Sequence, residues 1–196
     1  MDLHKKFKPN LTPQKIFELG SFGGTYWRPI YSSITNKKYE YVYKKYTWSK
    51  KINNNKLSNI DYDNNINKYK VKVGTSLDFW EEKGWIKRTH PYGWVHWYCD
   101  YKTGKRSPDD ERQIKRWLAL AGSRGRFMRF LVTQIIKRKG KWNDFSISPK
   151  IRQVLQHWGY KLTKRDFNRE IKRRNKKTKK TKKTKKTKKT KKTKKL

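Results

Sequence analysis

Apolar positions in the C-terminal half recur at helical spacing. Ile114, Trp117, Leu118 and Ala121 fall at i, i+3, i+4 and i+7, which places them on one stripe. Phe127, Phe130, Leu131, Gln134 and Ile135 align in the same way within 125–139, with Arg and Lys elsewhere. Ile151, Leu155, Trp158 and Leu162 do so within 149–162. Thr12-Pro13, Ser107-Pro108 and Ser148-Pro149 each set a hydroxyl before a proline whose missing N–H costs nothing in a first helical turn. These signals predict helices from Thr12 to Gly20, from about Ser76 to Lys83 with Gly84 as the stop, and from Ser107 to about Gly122. Further helices are expected over 125–139, over 149–162, and from Thr163 into the basic C-terminus. Asp109, Asp110 and Glu111 suit the first turn of the third, where the helix dipole favours acids.

The N-terminal half shows no such period. "TYWRPIYSS" and "YEYVYKKYTW" fit short strands or extended loops, and the Asn-rich "NNNKLSNIDYDNNINK" within 50–70 fits a surface loop or insertion. The expected fold is mainly α: a single helical domain over 1–171 with an irregular, aromatic-rich N-terminal half. Residues 172–196 follow it as a tail, with Thr at every third position from Thr178 to Thr193. That tail offers nothing apolar to bury and repels itself, so it is expected to be disordered.

Charge changes the picture more than hydropathy does. The chain carries 54 Lys and Arg against 15 Asp and Glu, a formal +39. Residues 172–196 hold 17 of the bases and no acid, so residues 1–171 keep 37 bases against 15 acids, a net +22. Leu, Ile, Val and Phe make up 37 of those 171 residues, which is sparse for a charged chain. All nine Trp and twelve Tyr also lie there, and each large aromatic buries roughly 150–250 Å². Aromatics are therefore the expected core material. The single cysteine permits no intrachain disulfide and suits a reducing compartment. The most apolar run, Phe130–Ile136, is far short of the ~20 residues that span a bilayer. An intracellular, non-membrane location is expected, in a nucleus or, for a viral protein, a viral factory or virion.

The motifs "GSFGGTYWRPI", "FWEEKGWI", "HPYGWVHWYC", "DDERQIKRW" and "SPKIRQVLQHWGY" together resemble a family of small Trp-rich proteins of bacteria, plants, algae and large DNA viruses. The likeness covers about residues 12–162. It implies one coherent fold and supplies no catalytic residue. The Lys-Lys-Thr tail and the Asn-rich stretch are departures from it, and abundant Lys, Asn, Ile and Tyr beside scarce Ala suit an AT-rich viral genome.

Residues 83–101, "KGWIKRTHPYGWVHWYCDY", concentrate three Trp, three Tyr, two His and the one Cys. A zinc site from His90, His96 and Cys99, with His157 at a distance, lacks the second close ligand pair that such sites show. No metal and no cofactor are expected, and Cys99 reads as a small buried thiol. Asp109, Asp110 and Glu111 splay by about 100° per residue on a helix, so they do not converge on one ion. The glycines of "ELGSFGG" match no phosphate-binding fingerprint and read as a helix stop and a tight turn.

Basic–aromatic interleaving remains. Trp80, Trp97, Trp117 and Trp158 are expected in the core, while Trp27, Trp48 and Trp142 sit beside Arg or Lys in loop-like contexts and are the candidate stacking platforms. Arg124, Arg126 and Arg129 are candidate phosphate clamps, extended by Arg112, Lys115 and Arg116 on the exposed side of the preceding helix. The expectation is a non-catalytic nucleic-acid-binding protein that grips phosphates through a basic face and its tail. A nuclease or base-modifying enzyme, a genome-packaging protein and an acidic protein partner are the alternatives.

Overall fold

Most of the expected starts and stops are where the chain turns. In the computed structural model, which describes residues 2–176, Thr12 Oγ1 accepts from Lys15 N and opens a helix at Pro13. The α-helices are α1 (Leu3–Lys6), α2 (Pro13–Glu18), α3 (Leu77–Glu82), α4 (Trp94–Lys102), α5 (Asp110–Leu120), α6 (Arg126–Lys137), α7 (Pro149–His157) and α8 (164–176). The one sheet among the described residues is a hairpin of β1 (Ile30–Ser32) and β2 (Lys37–Tyr39), antiparallel with Ile30 opposite Tyr39. The mainly helical expectation holds at this level. Among the described residues no helix is long and apolar enough to cross a membrane.

Three expectations change in detail. Ser107 does not cap α5; its hydroxyl holds Asp109 N and Asp110 in a preceding turn, so the helix starts at Asp110. Ser148 sits at φ 53° and makes no cap bond, and α7 ends at His157 because Gly159 at φ 63° turns the chain. Helix α8 runs into the basic C-terminus as expected, to residue 176, so that residues 172–176, expected as part of a disordered tail, are helical. The remainder of the Lys-Lys-Thr repeat lies outside the described residues.

Helix α4 carries no signal in the sequence. Every residue from Trp94 to Asp100 is buried, so no polar face exists to mark a period. Around it pack α2 and α5, with Trp27, Phe17, Ile114, Leu131, Ile135 and Leu155 almost fully enclosed. The Asn-rich stretch is irregular, as expected, yet its inner side belongs to the core: Leu57 is buried and Trp27 N donates to its carbonyl at 2.7 Å. The segment seats on the glycines of the "GSFGG" turn. Asn59 N and Asp63 N donate to the Gly24 and Gly23 carbonyls, and Asn67 Oδ1 accepts from Gly23 N. A Cβ at Gly24 would collide with the Asn55 carbonyl and one at Gly20 with that of Ile66. Those glycines serve close backbone approach, not a phosphate.

Candidate functional site

The residues of 83–101 that could carry metal or nucleophilic chemistry are packed into a buried polar knot. Asp100 accepts from Tyr46 OH at 2.7 Å and lies 3.2 Å from Lys45 Nζ and 3.7 Å from His90 Nε2. Burial alone would raise its carboxyl, but His90, Tyr46 and Lys45 more than offset this and hold it far below the usual carboxylate range. Lys45 Nζ also lies 3.3 Å from His96 Nε2. An ammonium only donates, so His96 Nε2 accepts and the ring proton sits on Nδ1, which is buried without a partner. Burial first and Lys45 second push His96 well below its ordinary value, so it stays neutral. Burial likewise pushes the Cys99 thiol up, with the Asp100 charge adding to it, which is the opposite of an activated nucleophile. Among the described residues no three His, Cys, Asp or Glu side chains converge to hold a metal ion.

The acids at the start of α5 are divided among separate partners. Asp110 accepts from Trp97 Nε1 at 2.7 Å, Asp109 binds Arg112 and Gln113, and Glu111 pairs with Lys115 at 2.7 Å.

The tryptophan assignments hold at Trp97 and Trp117 and fail at Trp27, with the others in between. Trp27, expected as a platform, is fully buried, edge-on to Tyr26 and His96, and no base can reach it. Its chain neighbour Arg28 faces the other way, which is why a basic neighbour misled. Trp48 is half-buried with its ring stacked on Phe17 and on Tyr46. Trp142 is half-buried, its carbonyl accepting from the buried Arg152. Trp97 and Trp117 are core as expected, with Trp117 Nε1 donating to the Trp158 carbonyl. Trp80 and Trp158, expected in the core, are only half-buried, and Trp85, singled out in neither group, is 43% exposed.

The arginines also separate. Arg112 is not free on an exposed face: both oxygens of Asp109 hold its guanidinium, and Nη2 reaches the Trp85 carbonyl. Lys115 is exposed but paired. Arg116 is half-buried, its guanidinium 5.7 Å from the Trp85 ring centre and 5.3 Å from that of Trp158, with Nη1 donating to Gln113 Oε1. Burial, with Arg112 adding its charge, brings Arg116 down to about 10, so it remains a cation at neutral pH. Arg124, Arg126 and Arg129 are exposed. Arg126 lies over the ring of Phe127, and the Arg129 carbonyl accepts from Arg174 of α8.

These placements reveal a trough that the sequence did not show. One cavity of about 480 Å³ is bounded by Trp80, Trp85, Trp94 and Trp158, with Arg116 and Arg126 at its side. A second, of about 470 Å³, is bounded by Ile60, Tyr62, Arg28 and Lys72. Phe22, Tyr26, Gly74, Thr75, Trp80 and Tyr92 line both, so the two are adjacent parts of one depression. No Asp or Glu lines either part. At its floor His157 stacks on Phe22 at 3.8 Å and its Nε2 accepts from Phe22 N; burial brings this imidazole down to about 3. The neighbouring-residue signal that picked Trp27 could not find this site, whose members come from α3, α4, α5, α6, α7 and the loops between elements.

No family model, curated protein or solved structure matches the chain. The likeness to small Trp-rich proteins rests on the sequence motifs alone.

Proposed function

We propose that this protein binds nucleic acid, gripping phosphates with the face formed by α6 and α8 and performing no catalytic step of its own. The observation that carries the reading is the sorting of charge on α8. Its two acids turn inward: Asp166 is buried and accepts from Tyr160 OH, and Glu170 is buried beneath Arg173 and Arg174. Its exposed side presents Arg165, Asn168, Arg169, Lys172 and Lys176 at helical spacing. Arg165, Lys172 and Lys176 have no carboxylate partner among the described residues. Arg174 fastens α8 to α6 by donating to Thr133 Oγ1 at 3.0 Å and to the Arg129 carbonyl at 2.9 Å. The last turn of α8 therefore lies against α6 at Arg129. A surface that hides its acids and shows its bases suits a polyanion, whose bound counterions are released on contact.

The test is the salt dependence of oligonucleotide binding by the full-length protein. Arg165→Gln, Lys172→Gln and Lys176→Gln together should flatten the dependence of log K on log salt, by roughly 0.9 per lost duplex phosphate contact. The melting temperature should stay put, because these side chains are exposed. An unchanged slope would remove α8 from the interface. The repeat is best deleted after Lys176, since a cut after Ile171 would also take away Arg173 and Arg174 and uncover Glu170.

A further inference from the structure

We infer that the trough holds one unpaired nucleotide of a bound strand, its base against the rings of Trp80, Trp85 and Trp158. The flanking phosphates are met by Arg116 and Arg126 at one end and by Arg28 and Lys72 at the other. The inference rests on the nucleic-acid reading and adds a preference to it. Chemistry narrows the occupant. An apolar ligand has no use for four cations, and an inorganic anion has none for a wall of indoles. A nucleotide uses both, because every base has a π-face and every link carries a charge. Cations at both ends, with no carboxylate between, match a strand that continues in both directions. Arg28, Lys72 and Arg126 have no carboxylate partner among the described residues; Arg28 Nη1 donates to the Thr25 carbonyl, and Lys72 and Arg126 lie over Tyr62 and Phe127. Two adjoining parts of about 470 and 480 Å³ are of ligand size, typically about 300–1,000 Å³. A duplex keeps its base faces stacked and cannot offer one without paying to unstack it.

The full-length protein should be titrated against a labelled twelve-nucleotide single strand and the matching duplex, and the change in fluorescence anisotropy followed. Trp85→Ala, an exposed position, should weaken single-strand binding about tenfold, leave duplex binding within about twofold and leave the melting temperature nearly unchanged. Trp85→Phe should restore most of the loss. The triple Gln variant on α8 should weaken both forms alike. Equal effects of Trp85→Ala on both forms, or none on either, would overturn the trough as a base site while leaving the basic face standing. Wild-type protein that binds neither form would overturn both readings. An acidic Tyr-rich peptide that displaces the single strand at equal concentration would replace the nucleotide with a protein ligand.

Discussion

Helix α4 and the trough are built from the same residue types and lie against each other, yet their rings are held differently. Around α4 the polar end of a ring usually meets a fixed protein acceptor. Trp97 Nε1 donates to Asp110 and Tyr98 OH to the Leu11 carbonyl. In the trough Trp80 Nε1 donates to Thr75 Oγ1, but the Trp85 and Trp158 rings have the Arg116 guanidinium between them, and no Asp or Glu lines the cavity. Buried polar groups need partners to offset lost hydration, while a guanidinium can instead lie against the faces of aromatic rings. An aromatic cluster closed by acceptors is core, whereas one edged by cations without carboxylate partners is the kind of surface on which the proposed anion site rests. Trp94 joins the two: it is buried, it lines the trough, and its Nε1 has no partner.

The comparison breaks most directly at Trp97. This side chain is 1% exposed and anchors α5 through Asp110. Trp97→Ala should cost about 3–5 kcal/mol, from lost burial plus the cavity left behind. Chemical denaturation would measure it, and a cost near 1 kcal/mol would mean that α4 is not the centre of the core. Trp97→Phe should fall between, because it keeps much of the volume and leaves Asp110 Oδ1 with Ser107 as its remaining donor.

How much of this could be read beforehand follows from range. Thr12, Ser76, Thr163 and Gly84 act within a few residues, and their helices start or stop where local chemistry places them. Ser107 and Ser148 carry the same motif as Thr12-Pro13, but the Ser107 hydroxyl closes a turn ahead of α5, and Ser148, at φ 53°, makes no cap bond. Helix α4 lacked a polar face, and so lacked a signal. The trough was illegible for a stronger reason. Arg116 meets Trp85 and Trp158 through folding alone, and adjacent residues point apart, so Arg28 can line the trough while Trp27 fills the core. The basic face was partly legible: Arg124, Arg126 and Arg129 are exposed as expected. The inward turn of Asp166 and Glu170, which isolates the bases of α8, depends on Tyr160, Arg173 and Arg174.

A second test uses pH at the floor of the trough. Burial holds His157 at about 3 in the folded protein against 6.5 in the unfolded chain. Between those values the unfolded chain binds a proton and the folded one does not, so stability falls as pH drops below 6.5. At pH 5 the cost approaches 2 kcal/mol, from about 1.5 units at 1.36 kcal/mol each. His96, pushed down by burial and Lys45, acts in the same direction. The melting temperature should fall from pH 7.5 to pH 5, and His157→Gln should flatten part of that fall. Glu170, held at about 2 chiefly by its hydrogen bond from Arg173, adds its loss only below the ordinary Glu range near 4.5. A flat profile above pH 5 would mean that water reaches His157 and the floor is not dry.

The smallest effect is the sharpest discriminator between the two regions. Trp85 is 43% exposed, meets Phe79 edge-on and faces Arg116, and its backbone carbonyl receives Arg112 whatever the side chain. Trp85→Ala therefore removes only part of a ring from apolar contact and leaves no buried polar group unpaired. It should cost about 1 kcal/mol or less, well under the Trp97→Ala value. Arg116 would keep Trp158 and Gln113, so the α5–α7 contact survives. Denaturation curves of the two variants, run side by side with equal slopes, give the comparison directly. If Trp85→Ala costs as much as Trp97→Ala, the trough is a closed part of the core. A difference of 2 kcal/mol or more leaves Trp85 free for a ligand, since a ring that contributes little to folding can be spent on binding.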